Sequence, residues 1–178
     1  MKKTNINLLL LLTAIISLTL PSCRSKFEDF KVRKIDTEKV KKASYHQEVD
    51  VLVDGNIIQR KIEGSPFFHF GVVKGDKIIH FDDNGVHENS LVEFSKGLPV
   101  QLTSDKKVDI KERLSIVDKY RKSKYDMFSN NCEHFAYELV FDKKISKQTD
   151  DIMNYLRKSA PVMENYLLNK YPQHEKEI

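Results

Sequence analysis

The sequence predicts an α+β fold, because strand-like alternation fills its first half and helical periodicity its second. Between Tyr45 and Leu102 short apolar-alternating runs are separated by Asp54-Gly55, Gly75-Asp76 and Asp82-Asp83-Asn84-Gly85, which are turn-forming sequences. From Asp109 onward apolar residues recur three and four apart instead. Strands followed by helices in one modest chain argue for α+β.

Residues 1–22 read as a secretory signal. Lys2 and Lys3 form a positive start, and the thirteen residues Leu8 to Leu20 form an apolar run broken only by Thr13, Ser17 and Thr19. That run is shorter than the roughly 20 residues a bilayer-spanning helix needs. It ends in Leu20-Pro21-Ser22-Cys23, which resembles a bacterial lipobox with Pro21 as an unusual member. Such a motif implies cleavage before Cys23, a diacylglyceryl group on its sulfur, and a lipid-anchored place in the bacterial cell envelope, inner or outer membrane undetermined. The alternative is plain secretion, with Cys23 free or paired with Cys132. An acylated Cys23 excludes that disulfide and leaves Cys132 a free thiol.

Removing 22 of the 178 residues leaves 156, enough for one core. Loss of Lys2 and Lys3 lowers the formal charge from +4 to +2, which gives no reason to expect a nucleic-acid partner. Residues 23–43 are lysine-rich with sparse apolar positions and read as a tether. The domain then occupies residues 44–170, and 171–178 form a polar tail.

Within the domain, Tyr45 to Val53 and Ile57 to Ile62 predict a hairpin around Asp54-Gly55. Phe67 to Val73 and Lys77 to Phe81 predict a second, around Gly75-Asp76, and Val100 to Thr103 a further short strand. Asp109 is placed to cap a helix carrying Ile110, Leu114, Val117 and Tyr120. Another helix begins near Asn131 or Cys132, a third near Thr149 is interrupted at Pro161, and a last spans about Val162 to Leu168.

Cys132, at a helix start, is a candidate nucleophile, since unpaired N–H groups there favour a thiolate. If Gly75-Asp76 is a two-residue loop, Gly71 faces His80, and His69, Gly71 and His80 share one sheet face. One imidazole then has the place of a base for Cys132 and the other orients it. Two strand histidines satisfied by backbone partners are the plain alternative. His134 lies about 200° around the helix from Cys132 and suits a structural role. A zinc site from Cys132, His134, His69 and His80 is disfavoured, because Cys-x-His on a helix does not present both ligands to one ion. No cofactor is expected. His46, His87 and His174 lie among polar residues and are expected to be exposed.

His69-Phe70-Gly71-Val72-Val73, His80-Phe81 and Asn131-Cys132-Glu133-His134-Phe135 resemble the signature blocks of the lecithin retinol acyltransferase family. That family is grouped with the NlpC-type cysteine hydrolases. The resemblance runs from Tyr45 to Phe141. It implies a circularly permuted papain-like fold, an antiparallel sheet packed on helices with the catalytic cysteine at a helix N-terminus. It further implies Cys132 as nucleophile, His69 as base and His80 as the residue orienting it. The implied activity is acyl transfer or hydrolysis on acyl esters of glycerophospholipids through a cysteine thioester, at a membrane reached through lipidated Cys23. Eukaryotic members commonly carry a C-terminal membrane helix, whereas this chain ends in Pro172-Gln173-His174-Glu175-Lys176-Glu177-Ile178. Relatives in the wider superfamily cut cell-wall peptides, so a peptide amidase is the rival enzyme and a non-catalytic lipid- or protein-binding module the rival of another class. Tyr125 is expected to pack. Phe67, Phe68, Phe70, Phe128 and Phe135 are candidate linings of an apolar entrance.

Overall fold

Alternating strands need cover on both faces, and here the two faces obtain it from different elements. The computed structural model describes residues 52–172 and the backbone of Arg33–Ile35. Six strands form one antiparallel sheet: β1 (Arg33–Ile35), β2 (Ile57–Lys61), β3 (Phe68–Lys74), β4 (Lys77–Asp82), β5 (Gly85–Ser90) and β6 (Val100–Ser104). Their spatial order is β1-β6-β2-β3-β4-β5. Helix α1 (Leu91–Ser95) joins β5 to β6. A 3-10 turn at Ile110–Arg113 leads into α2 (Leu114–Arg121), followed by α3 (Cys132–Phe141), α4 (Lys147–Ser159) and α5 (Pro161–Lys170). The fold is α+β, as the sequence predicts.

The β3–β4 hairpin has the expected register, with Gly71 opposite His80, Val72 opposite Ile79 and Val73 opposite Ile78. Gly75 opens its two-residue loop at φ 59°, a left-handed conformation that glycine enters without a Cβ clash. Parity follows from loop length, so His69, Gly71 and His80 do share a face.

Other expectations need correction. Leu52 and Val53 are not in a strand, although Asp54-Gly55 does turn. The predicted first hairpin has no place in the sheet, because β2 is paired with β3 on one side and β6 on the other. Asp82 to Gly85 ends the second hairpin at Asp82, but the strand that follows it is not among those the sequence predicts. The segment is a tight turn into β5, which pairs with β4 along its whole length. Arg33–Ile35, inside the expected tether, pairs with Leu102, Gln101 and Val100 of β6. Tyr171, assigned to the polar tail, is buried against Phe128 and Leu167, and its hydroxyl donates to Asp126 Oδ2 at 2.8 Å. The signal, Cys23, the rest of the tether, residues 45–51, His46 and His174 lie outside the described residues.

The core divides accordingly. Ile57, Phe70, Val72, Ile79 and Phe81 on one sheet face pack with Val117 and Tyr120 of α2 and with Phe135, Ala136, Leu139 and Val140 of α3. The opposite face buries Ile58, Val73, Ile78 and Val100 beneath Phe94 of α1. A third cluster joins Phe128 to Ile152, Met153 and Leu156 of α4 and Leu167 of α5. Among the described residues, no helix is long and apolar enough to cross a membrane.

Candidate active site

The segment Asn131-Cys132-Glu133-His134-Phe135 assigns one task to each side chain. Asn131 caps α3: its Oδ1 accepts from the backbone N–H of Glu133 and of His134, both at 3.0 Å, satisfying donors that the first helical turn leaves without partners. His134 reaches back, its Nδ1 accepting from Asn131 N–H at 3.2 Å. This is the structural role expected of it. Glu133 is buried, and its Oε2 accepts from Ser146 Oγ at 2.8 Å and from Gln148 N–H at 3.0 Å. Burial pushes its carboxyl up, and the hydrogen bonds from Gln148 and Ser146 pull it back. Gln148 in turn clamps the start of β3, accepting from Phe68 N–H at 2.7 Å and donating to Phe68 C=O at 3.2 Å. Phe135 fills the core. Only Cys132 is left with no capping or tying role.

The Cys132 thiol is free and buried. Its S–H is directed at Phe68 C=O, 3.9 Å away, and the Tyr125 hydroxyl donates toward the sulfur at 4.0 Å. Helix position led to the expectation of an acidic thiol, but burial pushes its pKa up to about 11, against the opposing pull of the Phe70 backbone N–H. Desolvation outweighs the helix terminus here, so the resting group at neutral pH is the thiol. Tyr125 does pack, its ring 5.3 Å from Phe81, but it also meets the sulfur, which sequence reasoning did not foresee. Burial holds its hydroxyl well above the usual phenol range, so it stays a donor.

His69 and His80 meet directly. Nε2 of His69 lies 3.0 Å from Nδ1 of His80, and the rings stand edge to face with centroids 4.9 Å apart. His80 Nε2 lies 2.6 Å from Asn89 Oδ1. Burial lowers both rings' pKa values, that of His69 to about 3, with the neighbouring His80 and Arg60 as further causes. Both rings are therefore neutral at physiological pH. Phe94 lies over both, with centroids 5.6 Å from His69 and 5.4 Å from His80. Gly71 makes that possible, since a Cβ there would stand 2.8 Å from Phe94 Cε2. The element covering the histidines is thus α1. The helix bearing Cys132, expected beside the histidines, packs on the other sheet face, where Phe135, Ala136 and Leu139 meet Phe70, Val72, Ile79 and Phe81.

The two halves nevertheless reach one cavity. A space of about 560 Å³ opens at the start of β3, and Cys132, Tyr125, Phe68 and His69 all line it. Residue 69 comes from one sheet face and residues 68 and 132 from the other. The thiol's hydrogen-bonding partners do not include an imidazole nitrogen. Apo arrangements of catalytic groups are commonly long and tighten around substrate. Phe67, Phe68 and Phe128 line the cavity with Ile152 and Leu167, whereas Phe70 and Phe135 belong to the core. His87, expected to be exposed, is half-buried in β5, with its ring centroid 5.5 Å from that of His80 and its Nε2 3.0 Å from Asp82 Oδ1. Among the described residues, no three of His, Cys, Asp and Glu converge as metal ligands.

Asn89 and the short helix α1 are the neighbours that sequence reasoning missed. Ser90-Leu91-Val92-Glu93 is a capping-box signature, and both of its bonds form. A two-residue turn at Asp83-Asn84 would also have placed Asn89 on the His80 face. Compared with protein-family models, with curated proteins and with solved structures, the chain matches none of them. The family resemblance therefore rests on the three sequence blocks alone.

Proposed function

We propose that this chain is a cysteine-dependent acyltransferase or hydrolase with a circularly permuted papain-like fold, acting on acyl esters of glycerophospholipids at a membrane to which lipidated Cys23 tethers it. The observation that carries this reading is the shared cavity. A buried thiol and a neutral His69, itself hydrogen-bonded to His80, face one mainly apolar space, as an acyl chain beside a thiol nucleophile requires.

In this mechanism His69 takes the proton of the Cys132 thiol as sulfur attacks the ester carbonyl. The S–H bond breaks, N–H and S–C bonds form, and the carbonyl electron pair moves to oxygen. Because the thiol rests near pKa 11 and the imidazole near 3, proton transfer accompanies attack, and no thiolate–imidazolium pair is stored beforehand. The oxyanion is met by the backbone N–H of Cys132 at the start of α3 and by the Tyr125 hydroxyl. Collapse breaks the ester C–O bond, and His69 returns its proton to the leaving alkoxide. Water, or an acceptor alcohol or amine, then attacks the thioester with His69 again as base, and cleavage of the C–S bond restores the thiol. General acid–base assistance of this kind contributes about 10²–10⁴-fold.

The test is intact-mass spectrometry of the full chain after exposure to phospholipid vesicles. An acyl adduct on Cys132, absent from Cys132→Ala and much reduced in His69→Ala, is the expected result. No adduct and no released fatty acid, with cleavage of cell-wall peptides instead, would overturn the lipid reading in favour of a peptide amidase.

A further inference from the structure

Beyond the two histidines, the hydrogen bonding continues in one direction across β4 and β5. Asn89 lies opposite Ile78, two residues along from the His80–His87 pair and on the same face. Its Oδ1 is the partner of His80 Nε2 at 2.6 Å. The Glu93 carboxylate at the start of α1 is held below the usual carboxylate range chiefly by the Ser90 backbone and hydroxyl. Glu93 is itself held by Ser90, whose N–H and Oγ–H donate to Oε2 at 2.7 and 2.8 Å.

The amide oxygen of Asn89, which faces His80 Nε2, can only accept. His80 must then carry its proton on Nε2, which leaves Nδ1 as its acceptor. Nδ1 is the atom that faces His69 Nε2, so a neutral His69 donates from Nε2 and keeps its lone pair on Nδ1. With the Asn89 amide reversed, His80 would donate from Nδ1, and the His69 proton would sit on Nδ1 instead.

We propose that Asn89 is a positioning residue which fixes the tautomer of His80, and through it that of His69, so that His69 Nδ1 is the proton acceptor. This rests on the reading of His69 as the base. The chain runs from Asn89 through His80 to His69, with Phe94 holding both rings in place. The charged neighbours that bear on the pair are Arg60 and Lys96, which disfavour an imidazolium, and Asp82, which favours one. His87 beside His80 also disfavours a second charge.

The experiment is long-range ¹H–¹⁵N correlation of the histidine rings in the full ¹⁵N-labelled chain, alongside steady-state turnover of a phospholipid ester. In the native chain His69 should show a protonated Nε2 and a bare Nδ1. In Asn89→Leu the two His69 tautomers should mix, and kcat should fall roughly 10- to 100-fold with KM unchanged. Asn89→Ser, smaller and both donor and acceptor, should show the same mixing if the leucine variant does not fold. An unaltered His69 tautomer in either folded variant overturns the proposal. The spectra need no turnover, so a tautomer that follows Asn89 in a chain lacking Cys132-dependent activity would uphold the relay and overturn the catalytic reading.

Discussion

On one face of the sheet Phe70, Val72, Ile79 and Phe81 meet α2 and α3 in an apolar layer. On the other, Arg60, His69, His80 and Asn89 run across four adjacent strands, with Phe94 over the ring pair. The first face is held by packing, so its requirement is shape. The second has its own apolar cluster under Phe94 and adds directed hydrogen bonds, so it also requires the right donor opposite the right acceptor. A single chain affords both because alternation separates neighbouring residues onto opposite faces. His69 lies between two phenylalanines in sequence, yet its side chain stands on the opposite sheet face from theirs.

The sharpest way to break this comparison is to open the apolar face. Phe135 is fully buried, with its ring centroid 5.0 Å from that of Tyr120. Phe135→Ala should cost about 3–5 kcal/mol in chemical denaturation, and a loss below about 1 kcal/mol would show that this layer is not the main core. On the opposite face, Gly71→Ala brings a Cβ within 2.5 Å of Ile78 Cγ2 and 2.8 Å of Phe94 Cε2. Overpacking of that kind should cost about 1–3 kcal/mol. An alanine variant as stable as the native chain would mean that α1 does not bear on the histidines.

A smaller effect distinguishes the faces by pH. Burial, then His80 and Arg60, hold folded His69 near pKa 3, whereas its ordinary value is 6.5. Below pH 6.5 the unfolded chain therefore binds more protons than the folded one, and stability falls as pH drops toward 3. Between pH 7 and 5 the loss should be at most about 2 kcal/mol, measured as the change in unfolding free energy in urea. His69→Gln should flatten this slope, while a slope that stays as steep would place the titration elsewhere.

What could be read in the sequence was local. Turn length alone sets the parity that brings His69, Gly71 and His80 to one face, and the asparagine cap alone marks the start of α3. The side on which α3 would settle depended on which strand residues offered the larger apolar surface, a matter of contacts distant in sequence. The raised pKa of Cys132 was hidden for the same reason, because burial is a tertiary property and the helix terminus a local one. β5 escaped notice because Gly85-Val86-His87-Glu88-Asn89-Ser90 lacks an apolar alternation, having only β4 beside it at the sheet's edge. With β5 went Asn89.

The clamp from Gln148 to Phe68 joins residues 80 apart in the chain, whereas His69 and His80 are only 11 apart. Contacts within a hairpin form before contacts that must close a long loop, because the longer closure costs more chain entropy before anything offsets it. The histidine pair can thus be in place as soon as β3 and β4 have met. The rim of the cavity beside Cys132 waits for a helix from the far end of the chain. A nascent or truncated chain ending before Lys147 would hold the histidine pair ready-made and the cavity beside Cys132 unfinished.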